Sequence, residues 1–101
     1  MAYYTLSNKA VEDLSNIWAY SYSYEAWSEN QADKYYELLI EACRKLAENP
    51  MLGKNYEAIS KDIHGFKTGK HIIFYRALKH KAIEIVRILH ESMDLRNRLT
   101  E

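Results

Sequence analysis

Apolar residues in the first part of the chain recur at steps of three and four. Between residues 8 and 24 they form one stripe of Ala10, Val11, Leu14, Ile17 and Trp18. This spacing is typical of a helix with one buried face. The preceding residue, Ser7, is of a type that often caps a helix start. We therefore predict a first helix here, after a short strand at AYYTL.

The next stretch carries a second helical pattern with a clear start and stop. Ser28 is followed three residues later by Gln31, which is the spacing of a capping box. Asn49-Pro50 ends the pattern because proline cannot continue a helix. Its apolar stripe consists of Ala32, Tyr35, Tyr36, Leu39, Ala42, Cys43, Leu46 and Ala47. Joined by a few residues around Ala26–Trp27, the two helices are expected to form an antiparallel hairpin.

The second half of the chain changes to strand-like runs. A weak strand is expected near 63–67 and two strong ones at 71–78 and 82–89, with a turn at 79–81. The order β-α-α-β-β-β predicts an α+β fold in which the helix hairpin packs on one face of an antiparallel sheet. We expect one domain over residues 1–101, with 92–101 as either a short helix or a flexible tail.

The two strong strands are apolar on both faces. With the turn centred on His80, paired residue numbers sum to about 160, which places Arg76 opposite Glu84. The two helices can cover one face of this sheet, and no other long apolar segment remains for the second face. We therefore expect an open trough with a polar rim, a usual mark of a binding site. Its apolar residues are Ile72, Phe74, Val86 and Ile88.

Three alternatives would close this trough without a foreign partner. The C-terminal tail could fold over it, the loop at 54–62 could do so, or the protein could dimerise there. The sequence pattern leaves all three open.

Composition narrows the class of protein. The chain has 101 residues, 48% of them hydrophobic, and a single cysteine, so a disulfide framework is not expected. We find neither a signal-peptide pattern nor a run of membrane-spanning length, and expect a soluble, cytoplasmic protein.

The charged residues are unevenly distributed along the chain. Residues 1–50 hold four basic and eight acidic residues, whereas residues 51–101 hold ten basic and six acidic ones. The basic second half is consistent with an anionic binding partner, and equally with a charged surface that only contacts solvent.

Candidate chemistry is sparse. The sequence has no metal-ligand spacing and no glycine-rich phosphate loop, so we expect no metal and no cofactor. His90 ends a strand near Arg76, Arg96 and Arg98, and could act as a general acid or base in RNA cleavage. Such a role needs a phosphate-binding group beside it, whereas the next residue is the acidic Glu91. The alternative interpretation is a strand-end histidine hydrogen-bonded to the backbone.

Four segments resemble one protein family. They are LSNKAVEDLSNIWAYS, ENPMLGKNYEAI, GKHIIFYRA and IEIVRILHESMD, in the same order as in ParE-type toxins of the RelE/ParE superfamily of toxin–antitoxin systems. The resemblance implies a hetero-oligomer with a ParD-like antitoxin, whose extended C-terminal segment wraps the toxin. It also implies DNA gyrase as the target, poisoned without an enzymatic reaction by the toxin. Neither sequence-specific nucleic-acid binding nor a membrane partner is expected.

Combined with the trough, this resemblance yields residue-level predictions. The antitoxin segment is expected to bind Ile72, Phe74, Arg76, Val86 and Ile88. The C-terminal run His90, Met93, Arg96 and Arg98 is expected to carry toxicity. No catalytic residue is assigned.

The sister RelE branch suggests an alternative, a ribosome-dependent mRNA endonuclease. Its members use an arginine on the central strand and basic or aromatic residues near the C-terminus. The corresponding positions here are Ile72 and Glu91. An apolar residue cannot bind a phosphate, so these two positions disfavour cleavage. A third possibility is a dimeric protein of the same fold without toxicity.

Overall fold

The computed structural model describes residues 2–23 and 28–100. A short 3-10 turn at Pro50–Leu52 follows the second long helix. The strands and α-helices, in chain order, are β1 (Tyr3–Leu6), α1 (Asn8–Ser23), α2 (Glu29–Glu48), β2 (Lys54–Asn55), β3 (His64–Thr68), β4 (His71–Ala77), β5 (Ala82–His90) and α3 (Leu95–Leu99).

Both predicted helix starts are confirmed by their capping bonds. Ser7 Oγ accepts the backbone N–H of Ala10 at 3.0 Å. Ser28 Oγ accepts the N–H of Gln31, and the Gln31 side chain accepts the N–H of Ser28, which completes the capping box. The helices α1 and α2 pack against each other and against the sheet. The predicted connection at Ala26–Trp27 lies outside the described residues.

The five strands form one sheet in the order β1-β5-β4-β3-β2. Strands β2 to β5 pair antiparallel with their neighbours, whereas β1 runs parallel to β5, from Tyr3 opposite Ala82 to Leu6 opposite Ile85. The α+β class predicted from the sequence is confirmed. None of the described helices is long and apolar enough to cross a membrane.

One extra residue in β5 changes the faces of the sheet. Arg76 lies opposite Glu84 as predicted, and its Nε donates to Glu84 Oε1 at 2.8 Å. The ladder then shifts between Phe74 and Tyr75, so that Val86 has no partner on β4. Ser7 Oγ donates to the carbonyl of Val86 at 2.7 Å and stabilises this bulge. As a result, side chains 87–90 point to the faces opposite to those predicted.

The helix-covered face holds the larger hydrophobic core. Ile88, predicted for the trough, belongs to this core, is 2% exposed and lies opposite Ile73. That assignment was wrong because the bulge precedes Ile88. Cys43 is fully buried here, and burial raises the pKa of its thiol to about 12, so it stays protonated. The sheet residues of this core are Ile73, Tyr75, Ile83, Ile85 and Ile88.

The second face is not an open trough, which corrects the prediction. Ile72 is 8% exposed and Phe74 is fully buried, and Val86 is half-buried beside them. They form a second core with Leu89 and Ile63, covered by Tyr56, Leu95 and Leu99. The loop before β3 and the short helix α3 thus close this face together, as two of the alternatives proposed. Neither segment carries a strong sequence pattern. The side chains of Tyr56, Leu95 and Leu99 are nevertheless enough to cover the buried residues of this core.

Candidate functional site

A cleft opens where β5 extends beyond β1. Strand β1 pairs only with residues 82–85 of β5, so residues 87–90 have no strand beside them on that side in the described chain. Helix α1 and the C-terminal segment, defined here as residues 91–99, flank this edge instead. The space between them is a cleft of about 580 Å³.

An ion pair between α1 and β5 forms the floor of the cleft. Arg87 Nε and Nη2 donate to the two carboxylate oxygens of Asp13, at 2.9 and 3.0 Å. The backbone N–H of Ile88 also donates to Asp13 Oδ2, at 2.9 Å. Both charged side chains are only 11% exposed. Asp13 therefore satisfies a strand-edge N–H that a neighbouring strand would otherwise bind.

The same arginine reaches the C-terminal segment. Arg87 Nη1 donates to the backbone carbonyl of Arg98 in α3, at 2.9 Å. One guanidinium thus connects three elements, α1, β5 and α3. Its fork of N–H donors allows this, because two donors can bind a carboxylate while another points elsewhere.

Our sequence reasoning missed the Asp13–Arg87 pair. Two local signals were present. Arg87 interrupts the apolar run of β5, and Asp13 lies three residues after Ala10 and four before Ile17, on the edge of the buried helical stripe. A charged residue at either position indicates a buried partner, but the sequence does not show that they face each other.

Two histidines and a tyrosine line the other end of the cleft. His71 and His90 are opposite each other across β4 and β5, with ring centroids 5.3 Å apart. The Tyr35 hydroxyl lies 2.6 Å from His71 Nδ1 and accepts the N–H of Lys70 at 3.0 Å. Burial, and next the neighbouring His90, lower the pKa of His71 to about 4. His71 is therefore neutral at pH 7.

His90 is bonded to the turn that follows it. Its Nδ1 accepts the backbone N–H of Ser92 at 3.1 Å and lies 2.7 Å from Ser92 Oγ. The backbone N–H of Ser92 donates in this bond, and the histidine nitrogen accepts. The bond agrees with the interpretation of a strand-end histidine held by the backbone.

The two positions that were compared with the nuclease branch carry no phosphate-binding group. Ile72 is apolar and buried. Glu91 is exposed and pairs with Lys67 at 2.9 Å, and this hydrogen bond lowers the pKa of the Glu91 carboxyl. A carboxylate thus adjoins the histidine, where cleavage would need positive charge. Among residues 2–23 and 28–100, no three metal-ligating side chains cluster.

Comparison with known proteins identifies the family. The family described as "ParE toxin of type II toxin-antitoxin system, parDE" matches residues 4–95. The chain belongs to the ParE family of toxins. Toxin ParE1 of Mycobacterium tuberculosis is 34% identical over 92 residues, covering 91% of this chain and 92% of that protein. Toxin ParE1 of Caulobacter vibrioides is 35% identical over 96 residues, covering 95% and 96%.

A solved structure has the same fold as this ParE toxin. It is a chain of the chromosomal ParDE toxin–antitoxin system from P. aeruginosa, with a TM-score of 0.68. The match covers 89% of this chain and 95% of the other, at 20% sequence identity. At this identity the likeness supports the fold alone.

The residues predicted to carry toxicity are largely brought together in this ParE toxin. His90, Met93 and Arg98 line the cleft, whereas Arg96 does not. Met93 is 41% exposed and offers an apolar contact at the surface. Their role in toxicity stays a prediction.

The residues predicted to bind the antitoxin are divided among three places. Ile72 and Phe74 are buried in the second core, with Val86 half-buried against them. Ile88 reaches the cleft from the helix side. Arg76 is exposed on β4 and paired with Glu84. The structure therefore does not assemble these five side chains into one open surface.

The lowered pKa of His71 predicts a pH-dependent stability. Between pH 6.5 and 4 the unfolded chain binds a proton at this histidine that the folded chain does not, so unfolding becomes easier as pH falls. In the variant His71→Gln the free energy of unfolding should depend less steeply on pH. Its slope against pH should fall by an amount that corresponds to at most about one proton taken up on unfolding. Urea denaturation at several pH values gives the slope of the unfolding free energy against pH for the unsubstituted protein and for the variant.

A matched control removes a histidine that is exposed. His80 lies in the turn between β4 and β5 with φ of 62°, a conformation that asparagine tolerates, so His80→Asn is the substitution of choice. This variant should retain the slope of the unsubstituted protein. Equal slopes for His71→Gln and His80→Asn would show that burial of His71 has no such effect.

Proposed function

We propose that this ParE toxin arrests growth by binding DNA gyrase and stabilising its complex with cleaved DNA, and that it does so without catalysing a reaction. Membership of the ParE family over residues 4–95 is the observation that carries this proposal. Gyrase acts on the chromosome, so the toxin would work in the cytoplasm.

The target surface in this proposal is the cleft beside β5. It combines an exposed apolar side chain, Met93, with the polar groups of His90 and Arg98. Apolar contacts surrounded by polar ones are typical of protein–protein interfaces. His71 is neutral at pH 7 and Glu91 carries a negative charge, so neither side chain would stabilise a phosphate. This supports a surface for protein–protein contact over a site for RNA cleavage.

We further propose that a ParD-like antitoxin binds this chain and neutralises it. The matching family is described as the toxin of a type II toxin–antitoxin system, parDE, and this description supports such a partner. Because Ile72 and Phe74 are buried, an antitoxin segment on their side of the sheet would contact the covering residues Tyr56, Leu95 and Leu99. Arg76, whose side chain is 53% exposed, remains accessible at the rim.

Induction of the toxin in a bacterium tests the proposed target. We expect filamentous cells, DNA-damage signalling and gyrase trapped on DNA. Rapid cleavage of transcripts with intact DNA would instead indicate the ribosome-dependent nuclease and overturn the proposal.

Two methionine variants test the proposed surface. Met93→Glu introduces a charge into the cleft and is expected to reduce killing at least tenfold. Met51→Glu is the matched control, because Met51 is 85% exposed in the 3-10 turn and does not line the cleft. Equal killing by both variants would exclude Met93 from the target surface.

A further inference from the structure

We propose that Asp13 and Arg87 are positioning residues that hold the C-terminal segment in the conformation required for toxicity. The inference rests on the proposed function, since it takes the cleft as the target surface. It concerns two side chains that a partner would scarcely contact, because each is 11% exposed.

Asp13 fixes the outer edge of β5 against α1. Its Oδ2 accepts the N–H of Ile88, three residues beyond the last pairing of β5 with β1 at Ile85. While Asp13 occupies this position, no strand can pair with that N–H. The edge therefore ends in a carboxylate that is itself held by two bonds from Arg87.

Helix α3 depends on contacts outside itself. It has five residues, and an isolated helix of that length is unstable in water. Apolar and polar contacts attach it to the rest of the described chain. Leu95 and Leu99 pack, half-buried, on the second core, and the carbonyl of Arg98 accepts a hydrogen bond from Arg87. Arg87 thus supplies a polar contact that attaches α3 to β5.

The C-terminal segment carries two cleft-lining residues that are proposed for toxicity. Met93 and Arg98 both line the cleft and both lie between His90 and the end of α3. If α3 leaves its position, Arg98 moves with it although it has not been changed, and Met93 loses the helix that follows it two residues later. Loss of the Arg87 bonds should therefore reduce toxicity by altering the shape of the cleft wall.

The variant Arg87→Lys tests this directly in the full chain. Lysine keeps the charge, but its single ammonium cannot bind both Asp13 oxygens and the Arg98 carbonyl. We expect the amide hydrogens of residues 95–99 to exchange at least tenfold faster, with those of α2 unchanged. We also expect killing on induction to fall at least tenfold.

Arg44→Lys is the matched control. Arg44 pairs with Glu41 at 3.1 Å on the exposed face of α2, with side chains 63% and 54% exposed. This variant should match the unsubstituted protein in amide exchange and in killing. A residue that merely contributed to global stability would speed exchange throughout the chain, whereas a positioning residue changes α3 selectively.

A second variant keeps the test decisive if Arg87→Lys does not fold. Leu99→Ala weakens the attachment of α3 from the second core and leaves the ion pair untouched. It should also speed exchange in α3 and reduce killing. Unchanged exchange in the folded variants, or faster exchange with full killing, would overturn the inference. If the unsubstituted protein does not trap gyrase, the proposed function fails, and amide exchange alone decides whether Arg87 positions α3.

Discussion

Replacement of Phe74 by alanine is expected to lower the free energy of unfolding by about 3–5 kcal/mol. Phe74 is fully buried, and Tyr56 contacts it edge-on with ring centroids 5.2 Å apart. Removal of the ring leaves a cavity between the sheet and its cover. Urea or thermal denaturation measures the loss, which is a large part of the roughly 5–15 kcal/mol typical of a domain.

Leu38→Ala provides the comparison for Phe74→Ala. Leu38 is an apolar side chain of α2 that is 48% exposed, and its truncation should change stability by no more than about 0.5 kcal/mol. If Phe74→Ala costs as little as Leu38→Ala, the second face of the sheet is open in solution and its cover is incorrectly described.

Asp13→Ala should cost about as much as Phe74→Ala, roughly 3–5 kcal/mol, because it leaves the Arg87 guanidinium buried without its carboxylate. The N–H of Ile88 also loses its acceptor. Chemical denaturation again measures the loss. This is an effect on stability, separate from the effect on toxicity proposed for Arg87→Lys.

A double variant separates the charge effect from packing. Asp13→Leu with Arg87→Met removes both charges and keeps apolar volume, so it should be no less stable than Asp13→Ala alone. The single variants Asp13→Leu and Arg87→Met complete the comparison, and losses that add strictly in the double variant would contradict a direct interaction between the two side chains.

In our proposal the C-terminal segment combines a structural role with a functional one. Leu95 and Leu99 cover the second core from one side of α3, while Arg96 and Arg98 remain exposed. When one short helix serves both roles, mutation of its core-facing residues Leu95 and Leu99 is expected to affect stability and activity together. The matched variants above are chosen to distinguish these two effects.

Local patterns predicted much of the fold. The caps at Ser7 and Ser28 and the cross-strand pair Arg76–Glu84 follow from neighbouring residue types or from the position of the turn. The bulge at Val86 could not be predicted because it depends on Ser7, 79 residues away in sequence. Its omission reversed the faces of Ile88 and His90.

The sequence offered the tail and the loop at 54–62 as possible covers of the second face, but it could not decide that they do cover it. It could not show the Asp13–Arg87 pair either, for the same reason. Tyr56 and α3 belong to segments too short for a clear periodicity, and their position is determined by contact with Phe74 and Ile72. Asp13 and Arg87 are 74 residues apart, and only the folded chain brings them together. Long-range contacts of this kind decided where the candidate site lies.

We propose that this ParE toxin traps gyrase and does not cleave RNA. The most direct measurement incubates the purified full chain with gyrase and supercoiled plasmid, then denatures and digests the protein. We expect linear plasmid to accumulate as the toxin concentration rises, and we expect this product to be lost with Met93→Glu. Absence of linear plasmid, together with cleavage of ribosome-bound mRNA by the same preparation, would contradict it.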